Sequence, residues 1–124
     1  MDPSYIYKIL DHPPPTPLPP TLPPTALDTK DGFIHLSTAS QTTFTAKTFF
    51  GQNTRLWILK LAVEALDGRI EWLTDPGTGI VDGCPHLHDS RNGLGSGNVR
   101  EVVEVWRREG EDWLGVEGLR GLED

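Results

Sequence analysis

Eight prolines crowd the stretch from Pro13 to Pro24, and no other feature restricts the fold of this chain so strongly. Each one fixes φ and removes a backbone donor, which bars the stretch from a helix interior or a central strand. An extended, polyproline II-like connection over the surface is expected across residues 11–27. Leu18 and Leu22 are its apolar side chains and are expected to tack it onto the body. A stiff loop is favoured over a PxxP-type docking motif.

The segments around it carry the periodicity of regular structure. Tyr5-Ile6-Tyr7-Lys8-Ile9-Leu10 is rich in β-branched and aromatic residues and reads as a first strand. Gly32 to Leu36 reads as a second, with Phe33, His35 and Ser37 on one face by the period of two. Ser37 or Thr38 is placed to cap a helix from Ala39 to Phe50. Phe44, Thr48 and Phe49, with Ala46 between, give that helix a partly apolar stripe, and Gly51 is a natural residue to end it. The long apolar run Arg55–Val63 suits a central strand. A short turn at Glu64–Leu66 precedes another strand at Arg69–Leu73. Residues Thr74–Gly83 have the turn chemistry of a loop, Pro85–His88 is a brief extended piece, and the glycines of Asp89–Asn98 suggest a flexible loop. Val99–Arg107 reads as a late strand. For the acidic tail of residues 108–124, two outcomes stay open: anchoring through Trp113, Leu114 and Leu119, or fraying. Five or six short strands with one clear helix argue for an α+β fold with a curved or split sheet.

Length and charge narrow the function classes. A chain of 124 residues is expected to form one domain. Its net charge of −7 opposes general nucleic-acid binding, which needs clustered Lys and Arg. The acidic residues gather between Glu101 and Asp124 and read as a solvated face. One cysteine, Cys84, rules out an internal disulfide framework. No apolar run approaches the ~20 residues a membrane helix needs. Met1–Tyr5 lacks the basic and apolar regions of a signal peptide. A cytoplasmic location is expected, with the nucleus left open.

Among the four histidines, His12 abuts the proline stretch and reads as a surface residue. His35 stands inside an apolar strand just ahead of a Ser/Thr-led helix start, where a ring nitrogen, hydroxyls and unpaired N–H groups come together. It is the leading candidate for ligand contact. His86 and His88 are two residues apart, so an extended backbone turns both rings the same way, and Cys84 shares that face if the strand starts early enough. Zinc held by His86, His88 and either Cys84 or His35 is a weaker alternative, because no paired CxxC or HExxH accompanies them. Glu71, Asp75, Asp82 and Asp89 are the carboxylates near enough in sequence for acid/base work, and a loop carboxylate is more often solvated. Neither a P-loop nor a dinucleotide fingerprint is present, and Gly93–Gly97 lacks the required spacing.

Tyr7-Lys8-Ile9, Leu27-Asp28, the block Asp31–Thr38 (DGFIHLST), Phe49-Phe50-Gly51-Gln52 and Pro85-His86 occur in that order. Over about residues 5–107 the chain thereby resembles the DUF952 family, small proteins without an established biochemical role. The resemblance implies the ADP-ribosylation-like fold, two packed antiparallel sheets forming a cleft, with one main helix. It also implies a link to ADP-ribosyltransferases and RNA 2′-phosphotransferases, whose His-Gly-Ser/Thr element is similar to His35-Leu36-Ser37, with leucine here in place of glycine. His35 would then bond the ribose of NAD or a related nucleotide, and Ser37 would be an accessory donor. On the same footing His35 and His86 are the catalytic candidates, and Tyr7, Ser37, Thr38 and His88 the ligand-binding ones. The family often has a glutamate where this chain has Leu73, and Glu71 is expected on the opposite face, which counts against transfer chemistry. Three readings result: a nucleotide-ribose enzyme site, a non-catalytic ligand-binding or interaction module, and, behind both, a zinc-dependent hydrolase.

Overall fold

The computed structural model describes residues 3–73 and 83–124. Strands β1 (Tyr5–Leu10), β3 (Arg55–Ala62) and β6 (Val99–Trp106) form one antiparallel sheet in the order β1-β3-β6. A smaller antiparallel sheet holds β2 (Ile34–His35), β5 (Cys84–His88) and β4 (Arg69–Leu73) in the order β2-β5-β4. Helix α2 (Thr42–Phe49) is the main helix, with short helices α1 (Ala26–Asp31) and α3 (Glu117–Arg120). The α+β class and the two small sheets are as the sequence implied. Among the described residues, no helix is long and apolar enough to cross a membrane.

Register determines what each face of the larger sheet buries. Ile6, Lys8 and Leu10 stand opposite Leu61, Leu59 and Trp57, and this face packs against the smaller sheet and the proline segment. The alternate residues Tyr7, Ile9, Leu56, Ile58 and Val105 face α2 and the C-terminal segment, where Trp113 and Leu119 complete a second apolar cluster. Residues 108–124 are therefore anchored: Trp113 is buried, and its indole N–H donates to the Phe50 carbonyl at 2.9 Å. Leu114 is half-buried beside it. Most of the acidic side chains of this segment are exposed, as expected of a solvated face.

Several local expectations are corrected. Residues 26–27 leave the proline connection and open α1, which the proline density had obscured. Thr25 caps this helix by accepting from the Asp28 N–H, and Gly32 ends it in the left-handed region at φ 80°. Because Gly32 is a helix cap, β2 is only two residues long. The chain then switches sheets: Leu36 N donates to Pro85 O at 3.0 Å, while Ser37 exchanges backbone bonds of 2.7 and 2.9 Å with Tyr7 on β1.

The expected helix over 39–50 opens with a 3₁₀ turn at Ala39–Gln41 before α2 begins. It buries Thr42, Thr43 and Ala46, whereas Phe44, Thr48 and Phe49 are exposed. The small side chain of Ala46 lets the helix sit close to the cluster around Trp113. Phe50 is the C-cap of α2 at φ −126°, so Gly51 does not supply a left-handed cap; a Cβ there would lie 2.9 Å from Lys47 O.

The glycine-rich loop is likewise no free tether. Asn98 is buried, accepts from Gly95 N at 3.0 Å and donates to Gly93 O at 2.8 Å. The proline segment docks on it through Leu22 N to Leu94 O (2.6 Å) and Ser96 N to Pro19 O (2.9 Å). A Cβ on Gly95 would lie 2.0 Å from Pro20 O, so only glycine allows this approach. Leu18 and Leu22 pack on the core as the sequence implied. The loop expected over Thr74–Gly83 falls outside the described residues, apart from Gly83.

Candidate functional site

The smaller sheet turns its odd and even positions to different tasks. Ile34, Leu87 and Ile70 stand in one row and pack into the core. The next row, on the other face, is His35, His86 and Glu71, each directly opposite the next. His88 follows on that face, across from Arg69. The three histidines converge as period-two alternation requires, with Phe33 at their centre. Its ring lies 4.6 Å from His35, 4.6 Å from His86 and 4.8 Å from His88, and the His35 and His86 rings meet edge-on at 5.2 Å. The His88 Nε2 atom lies 3.3 Å from the Glu71 carboxylate.

Glu71 corrects the expectation that it faces away. It stands opposite His86 in register, on the face of the histidines, and its carboxylate reaches His88. Arg69 and Asp89 attend it: Arg69 pairs with Glu71 and lies 3.6 Å from Asp89. Asp75 and Asp82, the other two carboxylates considered, lie outside the described residues.

A buried ionic network fixes His35 from behind. Its Nδ1 lies 2.7 Å from Asp28 Oδ1, and its backbone N–H donates to the same oxygen at 3.1 Å. The other Asp28 oxygen pairs with Lys8 Nζ at 2.6 Å, and that ammonium also donates to His35 O at 3.1 Å. Lys8 and Asp28 are both buried, which is costly for an ion pair unless the remaining valences are also satisfied. Burial pushes the Asp28 carboxyl up, but the His35 hydrogen bond and the Lys8 charge outweigh it and hold it below the ordinary value. Burial lowers the Lys8 pKa against the opposing pull of Asp28. On the outer side, His35 Nε2 lies 2.9 Å from Asp31 Oδ2 at the end of α1. Both ring nitrogens thus face carboxylates.

Beside this network lies a cavity of about 510 Å³ between β1, the start of α1 and α2. Lys8, His35, Ser37 and Thr45 give it a polar wall, and Leu36 and Phe50 an apolar one. Ser37 is buried and its hydroxyl lies 3.0 Å from that of Thr45. Thr38 forms a capping box with Gln41, its N–H donating to Gln41 Oε1 at 2.9 Å. The Gln41 amide in turn donates to Gly83 O at 3.0 Å, tying the helix start to the strand that carries His86. Tyr7 is packed in the helix-side core, and its hydroxyl donates to Glu123 O at 2.5 Å. The structure therefore brings His35 and Ser37 together at the cavity and His35, His86 and His88 together on the sheet face. Thr38 is engaged in capping, and Tyr7 pairs with Ser37 through its backbone while its side chain packs in the helix-side core.

The comparisons with known proteins fall on this same region. A family model described as "Protein of unknown function (DUF952)" matches residues 20–105. The chain belongs to the DUF952 family. The match spans Asp28, His35, Glu71, His86 and His88, while Lys8 lies ahead of it. Among solved structures, this DUF952 chain is similar to the crystal structure of protein CC0527 from Caulobacter crescentus. Identity is 26% and the TM-score 0.59, covering 82% of this chain and 85% of that one. A double mutant of CC0527 gives the same TM-score and coverage at 25% identity. No curated protein matches the chain.

Reasoning from sequence singled out the histidines but missed Lys8, Asp28, Phe33 and the reach of Glu71. Two of these carried a signal. A lysine within an otherwise apolar strand, and an aspartate one turn before a glycine stop, are residues that need a partner when buried. As for zinc, no group of three or more His, Cys, Asp or Glu among the described residues is arranged to hold a metal ion.

Proposed function

We propose that this DUF952 chain binds a small ligand of the ribose or nucleotide type, NAD-like, with His35 as its central contact. The observation that carries the reading is the position of His35 where the cavity and the histidine face meet, oriented by the buried Asp28–Lys8 pair. An imidazole held through Nδ1 presents Nε2 as its ligand-facing atom, and a hydroxyl-bearing ligand would replace Asp31 there. Ser37 and Thr45 add hydroxyls, and the cavity is in the size range of small-molecule sites. The two-sheet architecture is consistent with an ADP-ribosylation-like fold, the class to which the His35-Leu36-Ser37 element is similar. Binding without turnover is the reading we favour.

A catalytic reading is favoured by one observation, the Glu71 carboxylate on the same face as His86 and His88. In that case Glu71 stabilises positive charge at the ribose carbon as its bond to nicotinamide breaks. The hydroxyl of an acceptor or of water bonds to that carbon, and His86 takes the hydroxyl proton while His35 holds the ribose.

Calorimetric titration with NAD, ADP-ribose and nicotinamide tests both. The expected outcome is binding of NAD or ADP-ribose by the wild type and its loss in His35→Ala. Asp31→Ala should tighten binding, because it removes the group that competes for Nε2. Release of nicotinamide, lost in Glu71→Gln, would establish the catalytic reading. No binding of any of the three compounds by the wild type would sink both.

A further inference from the structure

A second cavity, of about 500 Å³, lies under the proline segment. It is a different chamber from the first, walled by Leu22, Pro23, Ile34, Leu59 and Leu94, with Arg91 at its margin. The two chambers nevertheless share Lys8, Leu10, His12, Pro24 and Thr25. The Lys8–Asp28 pair therefore stands at a neck between them, with Lys8 bordering both sides.

Lys8 has an unused bonding capacity there. An ammonium carries three donors. Two are accounted for, by Asp28 Oδ2 at 2.6 Å and His35 O at 3.1 Å. Among the described residues no third acceptor meets Nζ, although the side chain is only 8% exposed. A buried donor left in this state calls for a partner, and the space next to it is cavity.

The second chamber differs in chemistry from the first. Prolines and aliphatic side chains dominate its walls, and proline rings offer flat apolar surface against which a planar ring packs. The second chamber also has the Thr21 and Ser90 hydroxyls and Arg91. The first adds the His35 imidazole, Ser37 and Thr45, and takes its flat apolar surface from Phe49 and Phe50.

We infer that the two chambers form one bipartite site for an elongated ligand. Its polar, hydroxyl-bearing part lies against His35, an oxygen-rich neck accepts a hydrogen bond from the third Lys8 N–H, and a planar ring lies with its face under the proline segment. This rests on the ligand class proposed above and adds the second subsite and the ring it takes. The proline segment then contributes directly to specificity, as the roof of the ring-binding chamber.

Two probes separate the subsites. ADP-ribose carries both a ribose phosphate part and a planar ring, whereas ribose 5-phosphate carries the first part alone. Wild type is expected to bind ADP-ribose at least about tenfold more tightly, the scale on which a well-packed apolar group discriminates. Pro23→Trp fills the second chamber from an exposed position that borders only that chamber. It should weaken ADP-ribose by about tenfold or more and leave ribose 5-phosphate unchanged, which also shows that the variant is folded. Thr21→Trp fills the same chamber from a neighbouring position and should give the same selective loss. Equal affinity of wild type for the two probes, or an equal effect of both variants on both probes, overturns the bipartite site while leaving the His35 reading intact. Failure of wild type to bind either probe overturns both.

Discussion

The two faces of the larger sheet are built from opposite materials. On the helix side, Tyr7, Ile9, Ile58, Trp113 and Leu119 close into an apolar cluster whose few polar atoms find backbone partners. On the other side, the same strand β1 buries Lys8 among Ile6, Leu10, Leu59 and Leu61, and two cavities flank it. Apolar burial contributes roughly 25 cal/mol per Å² without needing an exact partner. A buried ion pair gains little net stability over an apolar pair of the same shape and fails badly when half of it is removed. A chain that places one on a strand otherwise suited to a closed core gives up packing for a fixed charge arrangement. One face holds the fold, and the other holds the geometry around His35.

The largest effect should come from the stabilising face. Trp113→Ala removes a buried indole and its bond to Phe50 O, and large-to-small substitutions of this kind cost about 3–5 kcal/mol. Urea unfolding should show that loss, with little change in ligand affinity for whatever fraction remains folded. A loss below about 0.5 kcal/mol, the range of ordinary surface substitutions, would mean that residues 108–124 do not form the core and would dissolve the contrast.

Next is Lys8→Met, which strands Asp28 as a buried carboxylate. Its cost should be about 3 kcal/mol, the lower end for a broken buried pair, because His35 still bonds Asp28. The double variant Lys8→Met/Asp28→Leu should recover part of that loss, since replacing both charges by apolar groups is often close to neutral, although the His35 N–H and Nδ1 lose their acceptor. Recovery of stability without recovery of ligand binding is the expected pattern. If the double variant is as unstable as the single one, the pair is part of the fold's support and not only of the site.

Much of the stabilising face was legible in the sequence, because alternation on Tyr5–Leu10, Arg55–Val63 and Val99–Arg107 is a local property of the chain. The convergence of His86 and His88 followed from the same period of two. What could not be read was anything set by long-range pairing. Helix α1 was masked by the prolines ahead of Thr25, although Thr25 and Gly32 are its start and stop. The stripe of Phe44, Thr48 and Phe49 looked buried by spacing, but the 3₁₀ turn at Ala39–Gln41 and the approach of Trp113 selected the Ala46 face. Lys8 and Asp28 are twenty positions apart in sequence and meet only when β1 and α1 are assembled. The side of the molecule with the buried ion pair is thus the side where local pattern says least.

The smallest effect, and the one that bears most directly on the contrast, is in the acid limb of stability. The Asp28 pKa is lower in the folded chain than its ordinary value of 3.8, because the His35 hydrogen bond and the Lys8 charge outweigh burial. A carboxyl depressed on folding contributes stability that is fully present above its unfolded pKa and is lost as pH falls through the folded one. Between those two values the unfolded chain binds the extra proton, so stability rises with pH there. Wild type should therefore lose stability as pH drops below about 4, and Asp28→Asn, lower at neutral pH, should show a shallower decline over that window. Thermal midpoints across pH 2–5 read this directly. Trp113→Ala, by contrast, should shift every midpoint down while keeping the wild-type slope, since it removes no titrating group. If Asp28→Asn keeps that slope as well, the acid sensitivity belongs elsewhere, with Asp67 as the next group: Ser90 and the Arg91 and Asn92 amides hold its carboxyl low at the surface. The charge arrangement behind His35 would then be energetically quieter than its burial suggests.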